Sequence, residues 1–205
     1  MQTVLMAMND PKAITLAIHI LKDGGLVAFP TDTVYGLGAL VFNDQAVSKI
    51  SDVKGRSTEK AIPILIADTD QLKLVAAEIN NDHNKLARHF WPGPLTIVFP
   101  RNSDIPDAVT PLPTVGIRVP NLQHTIGLLQ LAGPMAVSSA NLTGRGSSST
   151  ARGVQSQLDG KISLILDGGV TPGGIPSTVI EVIDGKPHIF REGPITLEEI
   201  LRELA

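Results

Sequence analysis

Short apolar segments alternate with helical segments along the chain, and this alternation restricts the fold more than any other feature of the sequence. Each apolar segment has the length of a buried strand, and turn residues or a helical pattern separate it from the next. Strands that alternate with helices are typical of an α/β domain with a mixed sheet. The predicted strands cover residues 26–29, 62–66, 95–99, 114–119, 135–137 and 163–166, and a hairpin covers 177–183 and 187–191.

Capping signals place the helices between these strands. Asp10 precedes Pro11 at a first helical position, and Gly24-Gly25 ends that helix. Thr196 and Glu199 have the spacing of a capping box before a terminal helix. Three further helices are predicted to begin at caps: one from Asp44 to about residue 53, one from Thr69 to residue 79, and one from Thr150 to about residue 158. Another helical stretch ends at residue 90, and a last helix lies near residues 122–131.

The length of 205 residues fits one domain, or one domain with a small annex. We place this domain over residues 1–205, with its core at about 7–195 and the terminal helix at about 196–205. Aromatic residues make up only 3% of the chain, so Val, Ile, Leu and Ala must supply most of the core.

Charge and composition exclude several classes of protein. The net charge of −3 argues against a broadly basic nucleic-acid surface. The absence of cysteine removes disulfides, thiolate nucleophiles and zinc–thiolate sites, and it is compatible with a reducing cytosol. We expect a cytoplasmic protein, because the sequence has neither a signal-peptide pattern nor an apolar run long enough to span a membrane. No P-loop, nucleophile elbow or metal-binding histidine pattern occurs, so no metal ligands are predicted.

Two polar clusters follow predicted elements early in the chain. Residues 30–38, PTDTVYGLG, come directly after a strand, where ligands of open α/β sheets bind. Their hydroxyls and backbone donors fit either a ligand site or a tight turn. Lys54 and Arg56 flank Gly55 at a helix end. These cations could hold an anion between them, or simply interact with the helix dipole.

Two further clusters follow later. Arg118 lies in an otherwise apolar strand and, if buried, needs a partner. A ligand carboxylate would suit its fork, and a structural Asp or Glu is the equal alternative. Residues 137–149 offer hydroxyls, an amide and glycine-exposed N–H groups that can surround phosphate oxygens. No base is placed to activate a serine there, so binding is favoured over nucleophilic catalysis.

Arg191 ends the late hairpin at what reads as the mouth of a loop. Together with Lys54, Arg56 and Arg118 it predicts a basic cleft within a protein of negative net charge. Such a cleft suits ATP and the carboxylate of an amino acid.

The sequence resembles the YrdC family of L-threonylcarbamoyladenylate synthases in its ordered motifs. These are PTDTVYGLG, KGR, WPGPLTIV, TVGIRVP, SSANLTG, PSTVIEV and FREGPI, and they cover residues 12–195. The chain resembles the short form of the family, which lacks an additional C-terminal domain. Two positions depart from the usual pattern, because Ser57 and Ser138 stand where the family usually has proline.

The resemblance implies a single YrdC-like domain with a twisted, open mixed sheet and helices around a concave central cavity. It implies that threonine, bicarbonate and ATP give threonylcarbamoyl-AMP and pyrophosphate, with Mg²⁺. The product would serve N6-threonylcarbamoyladenosine formation at tRNA position 37, through a separate tRNA threonylcarbamoyl transferase complex. Two alternatives stay open: a non-catalytic module that binds double-stranded RNA or tRNA, and a related carbamoyl-adenylate enzyme with another acceptor.

The resemblance also assigns roles to individual residues. The threonine-binding residues would be Thr31, Arg118, Val137 and Ser177, with Arg118 on the substrate carboxylate. The catalytic cations would be Lys54 and Arg56. The nucleotide and its phosphates would be held by Lys54, Arg56, Thr114, Ser139, Asn141, Ser147 and Arg191.

Overall fold

One mixed sheet organises the fold in the computed structural model, which describes residues 2–57 and 60–205. Its strand order is β1-β8-β2-β3-β7-β4-β6-β5-β9-β10. The strands are β1 (Val4–Ala7), β2 (Val27–Phe29), β3 (Gly36–Leu40), β4 (Ile64–Leu65), β5 (Leu95–Pro100), β6 (Thr114–Arg118), β7 (Met135–Ser139), β8 (Leu164–Asp167), β9 (Thr178–Ile183) and β10 (Lys186–Arg191). The helices are α1 (Pro11–Lys22), α2 (Asp44–Lys54), α3 (Thr69–Val75), α4 (Asn81–Phe90), α5 (Gln123–Ala132), α6 (Ala151–Leu158) and α7 (Leu197–Leu204).

The sheet combines parallel and antiparallel pairs. β8 is parallel to both β1 and β2, and β3 is antiparallel to β2 and β7. On the other side of β7, β4 is antiparallel to β7 but parallel to β6. β5 is antiparallel to β6 and parallel to β9, and β9 and β10 form the predicted hairpin. The expected α/β fold with an open mixed sheet is therefore confirmed.

Helices cover both faces of the sheet. Alternate strand residues separate the two faces, as Val27 and Ala28 show by packing into different apolar clusters. α1 and α5 contribute to the cluster on the Val27 face. α2, α3, α4, α6 and α7 contribute to the cluster on the Ala28 face. None of the helices in the described part of the chain is long and apolar enough to cross a membrane.

Several predicted boundaries are corrected by the structure. Asn43 caps α2 through Ala46 N, whereas Asp44 was the predicted cap. Asp68 rather than Thr69 caps α3, and this helix ends at Val75 instead of continuing to residue 79. The predicted strand 62–66 is reduced to β4. By contrast, the Thr196–Glu199 capping box is confirmed, with Thr196 N donating to Glu199 Oε2 at 2.8 Å.

The segment 30–38 contains a strand as well as the predicted turn. Gly36 and Gly38 lie in β3, and their lack of a side chain concealed this strand in the sequence. A Cβ on Gly36 would lie 2.6 Å from Val137 Cγ1, and one on Gly38 would lie 2.6 Å from Met135 Cε. Glycine therefore lets the neighbouring side chains of β7 pack over β3. β1 was also missed, because Val4 and Leu5 are exposed at the sheet edge and give no alternating pattern.

Candidate active site

A cavity of about 200 Å³ lies at the carboxyl ends of β2, β6, β7 and β10. This is the edge at which open α/β sheets bind ligands. The lining residues that the structure describes include three arginines and no acidic side chain. The cavity is therefore suited to an anionic ligand.

The structure brings most of the predicted site residues to this cavity. Those that line it are Thr31, Arg56, Arg118, Val137, Ser139, Ser177 and Arg191. Thr114 lines a second cavity of about 250 Å³, which shares Ala61, Pro63, Thr96 and Arg191 with the first. Lys54, Asn141 and Ser147 lie outside both linings, and Ser147 is exposed.

A threonine turn forms one wall of the cavity. Thr31 Oγ1 donates to Val34 O at 2.7 Å and accepts from Thr33 N at 3.1 Å. The hydroxyls of Thr31 and Thr33 are 2.9 Å apart. The tight turn expected from this sequence is therefore present, and the same turn directs Thr33 toward the cavity.

Arg118 is nearly buried, with 5% of its surface exposed. Its Nε donates to Gly93 O at 2.9 Å, one terminal nitrogen donates to Thr33 Oγ1 at 3.1 Å, and the other pairs with the Asp32 carboxylate. Burial lowers the pKa of Arg118, and Asp32 opposes that shift. A guanidinium carries five N–H groups, so these contacts leave two available for a ligand.

The sequence left two partners open for Arg118, a ligand carboxylate and a structural Asp or Glu. Asp32 is the structural partner, and its side chain is 10% exposed. Sequence reasoning did not assign a role to Asp32, although it lies within the PTDTVYGLG motif. Its position between two threonines of a turn was the signal available. The structural pairing still leaves donors for a carboxylate, so the two interpretations are compatible.

Arg56 and Arg191 line the same cavity as Arg118. Arg56 donates to Ser138 Oγ at 3.2 Å and to Ala61 O at 2.9 Å. Arg191 donates to Ser177 O at 2.9 Å and to Ser177 Oγ at 3.0 Å. Burial lowers the pKa of both guanidinium groups, and their hydrogen-bond acceptors among residues 2–57 and 60–205 are neutral oxygens. Both therefore contribute positive potential to the cavity.

Sequence reasoning also passed over Thr96. This residue lies in the apolar strand β5 and is 2% exposed, with its hydroxyl 2.8 Å from Ser177 Oγ. A polar residue inside an apolar strand was the signal that could have identified it. Thr96 lines both cavities, so it connects Ser177 to the wall they share.

Lys54 lies behind the cavity wall rather than in it. Its ammonium donates to Asn141 O at 2.6 Å and to Ser139 O, and only 5% of the residue is exposed. Gly55 caps the C-terminus of α2 in the left-handed region, with φ of 60°. The chain therefore leaves the helix axis at this residue, directly before Arg56. Burial, followed by the charge of Arg56, lowers the pKa of Lys54 to about 8.

The carboxamide of Asn141 is hydrogen-bonded through its nitrogen, and its oxygen has no partner among the described residues. Nδ2 donates to Leu142 O at 2.9 Å and to Arg145 O at 2.7 Å. Its Oδ1 is buried and has no hydrogen-bond partner among the described residues. Because both N–H groups are used within the loop, this carboxamide holds the loop together and does not reach either cavity.

Gly193 is required where two backbone segments approach closely beside the cavity. A Cβ there would lie 2.3 Å from Thr178 N and 2.7 Å from Pro176 O. We expect Gly193→Ala to displace the Arg191 segment from Ser177 and to lower the free energy of unfolding by about 1–3 kcal/mol. Gly127→Ala in α5 is the matched control, because a Cβ there would meet no atom within 4 Å. Thermal denaturation of both variants tests this, and equal melting temperatures would contradict it.

The sheet and its arginine-lined cavity define an α/β protein built to bind an anionic ligand at the strand ends. The sequence model of the Sua5/YciO/YrdC family, described as telomere recombination, matches residues 19–193. The chain belongs to this family, which confirms the resemblance seen in its motifs.

The relatives carry a common name. The threonylcarbamoyl-AMP synthase of Pyrococcus abyssi is 42% identical over 91% of this chain, and that of Bacillus subtilis is 41% identical over 95%. The chain spans 56% and 57% of the lengths of these two proteins. A crystal structure of P. abyssi Sua5 complexed with L-threonine is similar with a TM-score of 0.94 and 39% identity, covering 98% of this chain and 61% of that one.

Proposed function

We propose that this chain is a threonylcarbamoyl-AMP synthase, which converts L-threonine, bicarbonate and ATP into threonylcarbamoyl-AMP and pyrophosphate. The observation that carries the proposal is the convergence of Arg56, Arg118 and Arg191 on one cavity with hydroxyl groups beside them. This arrangement can hold a carboxylate and phosphates at the same time. The names of the two synthase relatives support the same reaction.

The amino-acid end of the cavity is assigned to Arg118. Its two remaining N–H groups would bind the threonine carboxylate, while Asp32 and Gly93 O hold the guanidinium in place. Ser177 and the backbone at Val137 line the same cavity and would complete the pocket. Thr31 would act through the turn that it stabilises. The L-threonine bound to the P. abyssi relative supports this assignment.

The nucleotide end is assigned to the wall between the two cavities. Arg56, Ser139 and Arg191 line the first cavity and would contact phosphates. Thr114 lines the second, whose apolar residues Val115 and Phe190 suit a base. The loop that follows β7 carries Asn141 and Ser147, and the Lys54 ammonium holds it by donating to the carbonyls of Ser139 and Asn141. These three residues would act on the nucleotide through this loop.

The chemistry requires positioning and charge stabilisation rather than a protein nucleophile. The amine of threonine adds to bicarbonate with loss of water and gives an N-carboxylate. One oxygen of that carboxylate attacks the α-phosphorus of ATP, the bond to the bridging oxygen breaks, and pyrophosphate leaves. Negative charge develops on the phosphate oxygens, where Arg56 and the nearby charge of Lys54 would stabilise it.

Mg²⁺ would be carried by the phosphates rather than by the protein. Among the described residues, no group of three or more His, Cys, Asp or Glu side chains is placed to hold a metal ion. Mg²⁺ commonly binds substrate phosphates with few protein ligands, which fits this cavity. When bound, it would neutralise phosphate charge and help pyrophosphate leave.

The proposal extends to the organisation and setting of the chain. We assign residues 1–205 to a single YrdC-like domain, with the core at about 7–195 and the terminal helix at about 196–205. We place the protein in the cytoplasm, where its product would pass to a tRNA threonylcarbamoyl transferase complex.

Pyrophosphate release tests the reaction directly. Incubation with ATP, threonine and bicarbonate should release pyrophosphate, and omission of threonine or bicarbonate should abolish the release. Pyrophosphate formation that does not depend on threonine would overturn the proposal. Dependence on another amino acid in a panel would indicate a different acceptor. Salt-dependent binding of double-stranded RNA or tRNA without turnover would indicate a binding module instead.

Lys54 gives the binding of ATP a predicted pH dependence. Its pKa of about 8 lies below the ordinary value of 10.5, so the ammonium is lost as the pH rises through 8. ATP affinity should therefore fall above pH 8, and Lys54→Arg should retain it to higher pH. Because the unfolded chain binds the proton more tightly, stability should change in the opposite direction and rise between pH 8 and 10.5. Equilibrium ATP binding across pH 7–10 checks this, and a flat wild-type profile would contradict it.

A further inference from the structure

The loop of residues 140–149 joins β7 to α6 and is fixed from two sides. On one side, Lys54 donates to Asn141 O and its own carbonyl accepts from Thr143 N at 2.9 Å. On the other side lies Gln157, a partly exposed residue of α6 outside the linings of the two cavities. The loop carries two of the residues assigned to the nucleotide, Asn141 and Ser147.

Gln157 connects three points of this loop with one carboxamide. Its Oε1 accepts from Leu142 N at 3.1 Å, and its Nε2 donates to Gly146 O at 3.3 Å and to Ser148 Oγ at 3.2 Å. Only a carboxamide can accept at the first point and donate at the other two. Glutamate of the same length could accept but not donate, and methionine could do neither.

The loop that Gln157 fixes is bonded in turn to the cavity wall. Ser148 O accepts from Tyr35 N at 2.9 Å, and Tyr35 lines the cavity. Ser149 O accepts from Thr171 N at 2.9 Å, which ties the loop to the segment after β8. A change in loop shape would therefore reach the cavity wall without any contact between Gln157 and a ligand.

We propose that Gln157 is a positioning residue for the nucleotide, which holds the loop of residues 140–149 in the shape that binds phosphates. The inference rests on the proposed synthase reaction and assigns a role to a residue that the reaction itself does not require.

Gln157→Glu and its matched control, Gln155→Glu, test the inference. Gln155 lies two residues earlier in α6, about 200° around the helix axis, and the same charge is added there. Gln157→Glu should raise the KM for ATP by about tenfold, because the hydrogen bond to Gly146 O is lost and a carboxylate then faces that carbonyl, while the Ser148 hydroxyl can turn to donate to the new side chain. The KM for threonine should rise much less, because the loop touches the amino-acid end only through the backbone of Tyr35, and Gln155→Glu should change neither constant.

A merely structural role gives a different result. Partial unfolding lowers the amount of active enzyme and so the apparent kcat, but it leaves the KM for ATP unchanged. Equal KM values for ATP in the two glutamate variants would overturn the inference. If Gln157→Glu folds poorly, Gln157→Met against Gln155→Met gives the same comparison without an added charge.

Amide hydrogen exchange separates this inference from the proposed function. In the ligand-free protein, Gln157→Met should speed exchange at Leu142, whose N–H it releases, and Gln155→Met should not. Unchanged exchange at Leu142 would refute the positioning role even in an active enzyme. Wild-type protein that releases no threonine-dependent pyrophosphate would refute the proposed function, whatever the exchange result.

Discussion

Replacing Arg118 by alanine is expected to raise the KM for threonine by about 100-fold or more. The two free N–H groups would be lost from the substrate carboxylate, and charge-assisted hydrogen bonds contribute about 1.5–3 kcal/mol each. Each 1.4 kcal/mol corresponds to about tenfold in affinity. Steady-state kinetics with varied threonine at saturating ATP measures the effect. ATP affinity should change much less, because Arg118 lies at the amino-acid end of the cavity.

Alanine at this position also leaves Asp32 buried without its partner. Removing one member of a buried ion pair costs about 3–5 kcal/mol of stability, so the single variant is expected to melt at a lower temperature. The double variant Arg118→Met with Asp32→Asn removes both charges and should recover much of that stability. It should still fail to bind threonine, which separates recognition from folding.

A surface arginine supplies the control for this experiment. Arg202 pairs with Glu198 on α7, and its side chain is 73% exposed. Arg202→Ala should leave both KM values unchanged, since exposed ion pairs contribute little. A double variant at Arg118 and Asp32 with wild-type threonine affinity would show that the carboxylate binds elsewhere.

Arg118 also shows how far the sequence alone could lead. Its apolar neighbours predicted burial, and burial predicted a partner, both of which the structure shows. The identity of the partner could not be predicted, because Asp32 is 86 residues away and only the strand order brings the two together. Local patterns identify a residue that needs a partner, whereas the sheet topology selects that partner.

The features that the sequence did not reveal depend on residues far away in the chain or on positions that carry no apolar side chain. β3 was hidden because Gly36 and Gly38 give no apolar signal, although close packing against β7 requires them. The sequence predicted that Lys54 is a cation near the site. The direction of its side chain, however, is set by the carbonyls of Ser139, at the end of β7, and Asn141, and no local pattern around Lys54 encodes these. Caps and turns were predicted well where one side chain binds the adjacent backbone, as at Thr150 and Thr196.

Replacing Arg56 by alanine should reduce kcat by about 100- to 1,000-fold, which is the usual loss when one preorganised donor to a developing charge is removed. Arg56 is held by Ser138 Oγ and by two backbone carbonyls, so its guanidinium is positioned before the substrate arrives. Because it acts on charge that appears in the transition state, kcat should fall more than the KM for ATP rises.

Two further variants identify what Arg56 contributes. Arg56→Lys keeps the charge but loses the planar fork and its contacts to the carbonyls, so it should recover only part of kcat. Ser138→Ala removes one hydrogen bond to Arg56 and should lower kcat by about tenfold at most. Single-turnover measurement of pyrophosphate release isolates the chemical step from product release. A rise in the KM for ATP with unchanged kcat in Arg56→Ala would show that Arg56 binds the ground state equally well, and catalysis would then have to rest on Lys54 and the phosphate-bound cation.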